Sequence, residues 1–159
     1  MSFEKENFVR TKLVRYLQQL DPATPALWGK MSVQQMIEHY TIDGVMVASG
    51  RRKLDNIVST PDHLVKLRDF LMSDRPFREN TRNPMLPEMP QPLQFKTVQA
   101  AIGTLQEELI YFFEVFEKDQ RLITRNPIFG DLDFVQNVQL LHKHARHHLR
   151  QFGVLPLDA

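Results

Sequence analysis

"DFVQNVQLLHKHARHHLRQFG", residues 133–153, decides the fold and carries four of the chain's six histidines. Asp133 is a good helix N-cap and Gly153 a natural residue just past a helix end, with apolar residues at helical spacing between them. At about 100° per residue, Phe134, Val138, Leu141, Ala145 and Phe152 share one apolar face, and His148 sits on it. His144 falls about 40° to one side and one turn earlier, and His147 lies on the flank about 100° away. His142 keeps company with Arg146 on the outer, solvent side. The spacing therefore yields an inward i, i+4 pair, a flanking histidine and an outward one. Imidazoles converging from successive turns can share one metal ion.

Two histidines do not complete a site, and a third has to come from another helix. Ser32 is a good N-cap for "VQQMIEHYTIDGVMVA", residues 33–48, whose broad apolar face includes Val33, Met36, Ile37, Tyr40, Gly44 and Val47. His39 lies at the edge of that face, and Asp43 follows one turn on, placed to orient its ring. If this helix adjoins the 133–153 helix, His39, His144 and His148 meet. Three neutral imidazoles leave positions open for water or substrate, the pattern of catalytic sites. His147 is placed to orient a ligand or replace one.

Two further amphipathic helices complete the pattern. One spans about Glu4–Gln19, with Phe8, Leu13 and Leu17 among its apolar positions. The other is "TVQAAIGTLQEELIYFFEVFEK", residues 97–118, striped by Val98, Ile102, Leu105, Leu109, Phe113 and Phe116. A weaker helical piece, about Asp62–Met72, follows the cap-proline pair Thr60-Pro61. With almost no strand pattern, the expected fold is all-α: an antiparallel four-helix bundle forming a single domain over 1–159.

Between the second and third long helices, "SDRPFRENTRNPMLPEMPQPLQF", residues 73–95, holds five of the ten prolines and no periodicity. Such long loops are usually lids or linkers. Its Arg75, Arg78 and Arg82 are candidates to position a small anionic substrate. "TRNPM" at 81–85 is echoed by "TRNPI" at 124–128, read as two similar turn starts. Glu108 and Gln106 flank the apolar stripe of the 97–118 helix, and Glu108 is a candidate proton acceptor near the metal.

Composition narrows the function classes. Formal net charge is +1, which disfavours a polyanion partner; Lys143, Arg146 and Arg150 read as the solvated side of their helix, not a nucleic-acid surface. The absence of cysteine leaves His, Asp and Glu as the strong metal ligands, and any thiol must be exogenous. No signal-peptide core or membrane-length apolar run is present, so a soluble, cytoplasmic protein without a membrane partner is expected.

"LWGKMSVQQMIEHY", residues 27–40, with "NPIFGDLDFVQNVQLLHKHARHHLRQFGV", residues 126–154, resembles the DinB-like metalloenzyme superfamily, and within it a bacterial branch defined only as a domain of unknown function. The resemblance covers nearly the whole chain in helix order and spacing. It implies that a tryptophan-led segment delivers His39, and an H-x-x-x-H on the last helix His144 and His148, to a divalent metal. Nitrogen ligands do not distinguish Zn, Ni, Fe or Mn. The extra His142 and the proline-rich loop depart from the commonest pattern. Some relatives are thiol-dependent transferases or isomerases using mycothiol or bacillithiol, so the resemblance implies an S-transferase or isomerase acting on a small molecule; an open divalent ion could instead activate water for hydrolysis. A non-catalytic binding or interaction bundle with structural histidines is the alternative, and a homodimer is left open.

Overall fold

Side-chain caps start the helices where the sequence predicts them. In the computed structural model, which describes residues 3–79, 86 and 89–156, Ser32 and Gln35 form a reciprocal capping box, as do Asp133 and Gln136. The Thr60 and Thr97 hydroxyls accept the backbone N–H groups of His63 and Ala100. Helix α1 consists of Phe3–Asn7 and Leu13–Gln19 joined by a π-helical turn, Phe8–Lys12. Helix α2 likewise joins Val33–His39 and Met46–Ser49 through a π-helical stretch, Tyr40–Val45. Helices α3, α4 and α5 are Pro61–Met72, Val98–Lys118 and Phe134–Gln151. The described residues are thus mostly helical.

One apolar cluster is built from α1, α2, α4 and α5. It contains Leu13 and Leu17, then Val33, Met36, Ile37 and Tyr40, the stripe Ile102, Leu105, Leu109, Phe113 and Phe116, and Val138, Leu141, Ala145 and Phe152. Helices α1 and α2 each pack against both α4 and α5. A smaller cluster, Leu71, Phe129 and Leu132, joins α3 to the flank of α5. No helix among the described residues is long and apolar enough to cross a membrane.

Helix directions correct the expectation of an all-antiparallel arrangement. Tyr40 Oη donates to Leu141 O at 2.9 Å, while Gln151 Nε2, at the far end of α5, donates to Trp28 O ahead of α2. These two helices run antiparallel. Glu38, in contrast, accepts from Gln94 N and Phe95 N just before α4, and Arg51 beyond the end of α2 pairs with Glu108 halfway along α4. Helices α2 and α4 therefore run in the same direction, as do α1 and α5, which meet at Lys5–Gln139 and Phe8–His142. The physical reason is the crossover: residues 50–97 carry the chain back to the start of α2, where buried Glu38 clips its end.

A two-stranded hairpin, β1 (Thr124–Asn126) and β2 (Gly130–Leu132), was not expected from the sequence. Its three-residue strands are too short to show alternation. The turn chemistry alone reveals it: Asn126 Oδ1 accepts from Ile128 N and Phe129 N, and Gly130 sits at φ 83°. The similar "TRNPM" lies outside the described residues.

Candidate metal centre

Helices α2 and α5 bring His39, His144 and His148 together, with one ligand atom from each within 4.8 Å of the others. His144 Nε2 lies 3.2 Å from His39 Nε2 and 2.8 Å from His148 Nε2. A tetrahedral ion bound at about 2.1 Å sets its nitrogen ligands about 3.4 Å apart, so small ring shifts would seat the three imidazoles on one ion. At Gly44 the helices come close: a Cβ there would lie 3.4 Å from His144 Nδ1, in ordinary contact.

The outer nitrogens decide what the inner ones can do. His39 Nδ1 is 2.9 Å from Asp43 Oδ2; a carboxylate only accepts, so Nδ1 carries the proton and a neutral ring presents a lone pair at Nε2. His148 Nδ1 is 2.7 Å from Gln151 Oε1. That amide is oriented by its own donation to Trp28 O, which makes Oε1 an acceptor and leaves His148 Nε2 as a second lone pair. Gly29, at φ 78°, makes room: a Cβ there would lie 3.0 Å from Gln151 Nε2. Between the two lone pairs His144 Nε2 holds at most one proton. At least one nitrogen pair therefore faces lone pair to lone pair, an arrangement a cation relieves.

Burial keeps the His144 and His148 rings neutral. Burial pushes His148 well below the ordinary histidine range, helped by His39 and His147 and opposed by its bond to Gln151. Burial does the same for His144, with His148, His39 and His147 adding to it. For Asp43 burial alone would raise the carboxyl, but the His39 contact and Arg52, 2.5 Å from Oδ1, outweigh it and hold the group below its usual value. Asp43 is thus an anion behind His39, held in place by Arg52.

His147 lies between Trp28 and Phe77, with ring centroids 5.5 and 5.8 Å away, and burial drives its pKa down to about 4. It contacts the His148 ring at 5.2 Å and is not one of the three converging groups. Phe77 also reaches the His144 ring edge-on at 6.5 Å. The aromatic pair Trp28 and Phe77 therefore borders the centre.

Several other candidates fall elsewhere. Arg75 lines a pocket with Lys143, Arg146 and Arg150 that contains none of the three converging histidines. Arg78 is exposed on the same segment, and Arg82 lies outside the described residues. Glu108 pairs with Arg51 at 2.5 Å and not with a histidine among the described residues, and Arg51 in turn stacks on Tyr111. His142, expected to face solvent, is half-buried with its ring edge-on to Phe8, because α1 covers that side of α5. Lys143 and Arg150, expected on a solvated face, are 5% and 4% exposed.

Sequence reasoning missed Gln151, whose i, i+3 spacing from His148 was the available signal, and Arg52, which had none. Compared with protein-family models, curated proteins and solved structures, the chain matches none.

Proposed function

We propose that the chain is a divalent-metal-dependent enzyme of the DinB-like kind, a four-helix bundle whose His39, His144 and His148 hold the ion. One observation carries the assignment: three imidazole nitrogens converge while the opposite nitrogens of His39 and His148 are committed to Asp43 and Gln151. Hydrogen-bonded core histidines would satisfy one another, but here at least two present lone pairs to the same space. A bound divalent ion would supply Lewis acidity, polarising a substrate oxygen or favouring ionisation of an incoming thiol or water near neutral pH.

The chain's own residues set the rest. Asp43, fixed by Arg52, orients the His39 ring and offsets part of the ion's charge. Trp28 and Phe77 give the centre an aromatic border suited to the organic part of a small substrate and to limiting water. Because the chain has no cysteine, a transferred thiol is a co-substrate. The substrate class we propose is a small thiol or thiol conjugate, with hydrolysis as the competing reaction of the same centre.

Elemental analysis of untagged protein should show near one equivalent of a first-row divalent metal, lost in His148→Ala. A screen of thiol-transfer, isomerisation and hydrolysis substrates should find turnover that disappears in the same variant. Equal metal content in both proteins would refute the centre. Tight metal binding with no turnover in any class would favour the non-catalytic alternative.

A further inference from the structure

The face of α5 turned away from the histidines carries a second concentration of charge. Residues Ser73–Pro76, just past the end of α3, fold over Lys143 and Arg146 and border a half-open pocket of about 270 Å³. Five cationic side chains line it, Lys5, Arg75, Lys143, Arg146 and Arg150, against one carboxylate, Asp74. Asp74 is paired with Lys5 at 3.3 Å and is itself almost fully exposed. The Lys143 ammonium donates to the carbonyls of Ser73 and Arg75. Arg75 and Lys143 also lie over the Phe70 ring, at 5.4 and 4.4 Å. Among the described residues, no carboxylate lies within ion-pair distance of Arg75, Lys143 or Arg146.

Holding the Arg75, Lys143 and Arg146 charges around one cavity, with Lys143 withdrawn from water, is unfavourable unless an anion enters. The Lys143 carbonyl contacts fix the ammonium without neutralising it. Arg75 and Arg146 supply planar forks suited to paired oxygens. The net excess of positive charge matches a dianion better than a monocarboxylate. At about 30 Å³ per water-sized group, the volume takes about nine non-hydrogen atoms, which is room for a phosphate and a short organic stem but not for a polynucleotide.

We propose that this pocket binds a small phosphate dianion, free or as a monoester, at a site separate from the histidine centre. The basic side chains hold the oxygens and Phe70 forms the apolar floor beneath Arg75 and Lys143.

Inorganic phosphate and glycerol phosphate are the probes, titrated calorimetrically against chloride at matched ionic strength so that general screening cancels. Wild type should bind at one site. The Arg75→Ala/Arg146→Ala double variant, whose side chains lie outside the core, should bind about a hundredfold more weakly, since each charge-assisted contact is worth roughly tenfold. Arg121→Ala, exposed beyond α4, should bind as wild type does. The His144→Ala variant should also retain binding, which places the anion away from any metal. Tighter binding of glycerol phosphate than of phosphate would identify a monoester as the ligand, and the reverse the free ion. Four results would overturn the proposal: no binding above the chloride control, equal loss in Arg121→Ala, loss in His144→Ala, or a DNA duplex outcompeting phosphate at the same arginines. Circular dichroism of the double variant confirms that a loss is not unfolding.

Discussion

The two faces of α5 carry opposite electrostatic designs only a residue apart in sequence. His144 and His148 face α2, where burial keeps them neutral and fixed partners aim lone pairs inward, a geometry for a cation. Lys143 and Arg146 face the segment after α3, where charges accumulate with a single carboxylate among them. Burial acts on both and selects different chemistry. An imidazole under desolvation sheds its proton and becomes a ligand, whereas Lys143, drawn down only to about 8 by burial and by Lys5, remains mostly a cation at neutral pH. One helix thus holds acceptors and donors apart without a strand or loop between them.

The comparison breaks most visibly if the faces are not independent. His144→Ala removes the central nitrogen and should weaken divalent-metal binding by about a hundredfold or more, equivalent to about 3 kcal/mol. Arg146→Ala, two residues away on the other face, should leave metal affinity unchanged. Competition titration with a chromogenic chelator measures both, and comparable losses would mean that the faces are coupled. Next in size is Asp43→Asn, which removes the anion behind His39 but keeps the side-chain shape; loss of such an orienting partner typically costs 10- to 100-fold in metal affinity. Gln151→Ala should fall at or below the lower end of that range, since a neutral amide adds orientation without charge. An Asp43 effect smaller than that of Gln151 would show that charge compensation contributes little.

A smaller effect tests the seam that holds the histidine face in place. Tyr40 is fully buried, and its hydroxyl donates to Leu141 O, one turn from His144. Tyr40→Phe should cost about 1 kcal/mol of stability, measured by urea unfolding of metal-free protein, and should leave metal stoichiometry intact. Loss of the metal in this variant would mean that the hydroxyl positions α5 rather than merely tying it down.

How much of this was legible depended on what each residue's environment was made of. The caps Ser32, Thr60, Thr97 and Asp133 stand out in sequence because their chemistry closes within three residues. The His39, His144 and His148 convergence was legible because helical phase decides which side chains meet when two apolar faces pack. Helical phase fails for Lys143 and Arg150, since it assigns an inside only with respect to other helices. Lys143 is covered by irregular chain, the segment after α3, and irregular chain also closes over the flanking His147 through Trp28 and Phe77. The parallel course of α2 and α4 was hidden differently. A crossover of nearly fifty residues permits either direction, and the clip that settles it is a buried carboxylate, Glu38, which periodicity reads as a break in the apolar face.

The smallest expected effect concerns His142, which sits at the boundary between the two faces. Burial, then Arg146, Lys5 and Lys143, drive its pKa down to about 4, with Asp74 opposing. In the unfolded chain the ordinary value is about 6.5. Between those values the unfolded state binds more protons than the folded one, so unfolding gains as pH falls. The stability that comes from keeping His142 neutral is complete above pH 6.5, declines as pH drops toward 4, and changes no further below that. His142→Gln removes this component, so the stability of metal-free protein should fall less steeply across that window by less than one proton's worth of slope. His147, also near 4 and for burial first, and His144 and His148, held well below the ordinary value by burial, contribute to the same window and leave a residual slope in the variant. Arg146→Ala sharpens the test, because removing the largest charged contribution raises the His142 pKa and flattens the slope in part. Urea titrations at half-unit pH steps measure it. An unchanged slope in His142→Gln would mean that His142 takes up its proton as freely in the folded protein as in the unfolded one, and that the cationic face does not extend to the edge of α1.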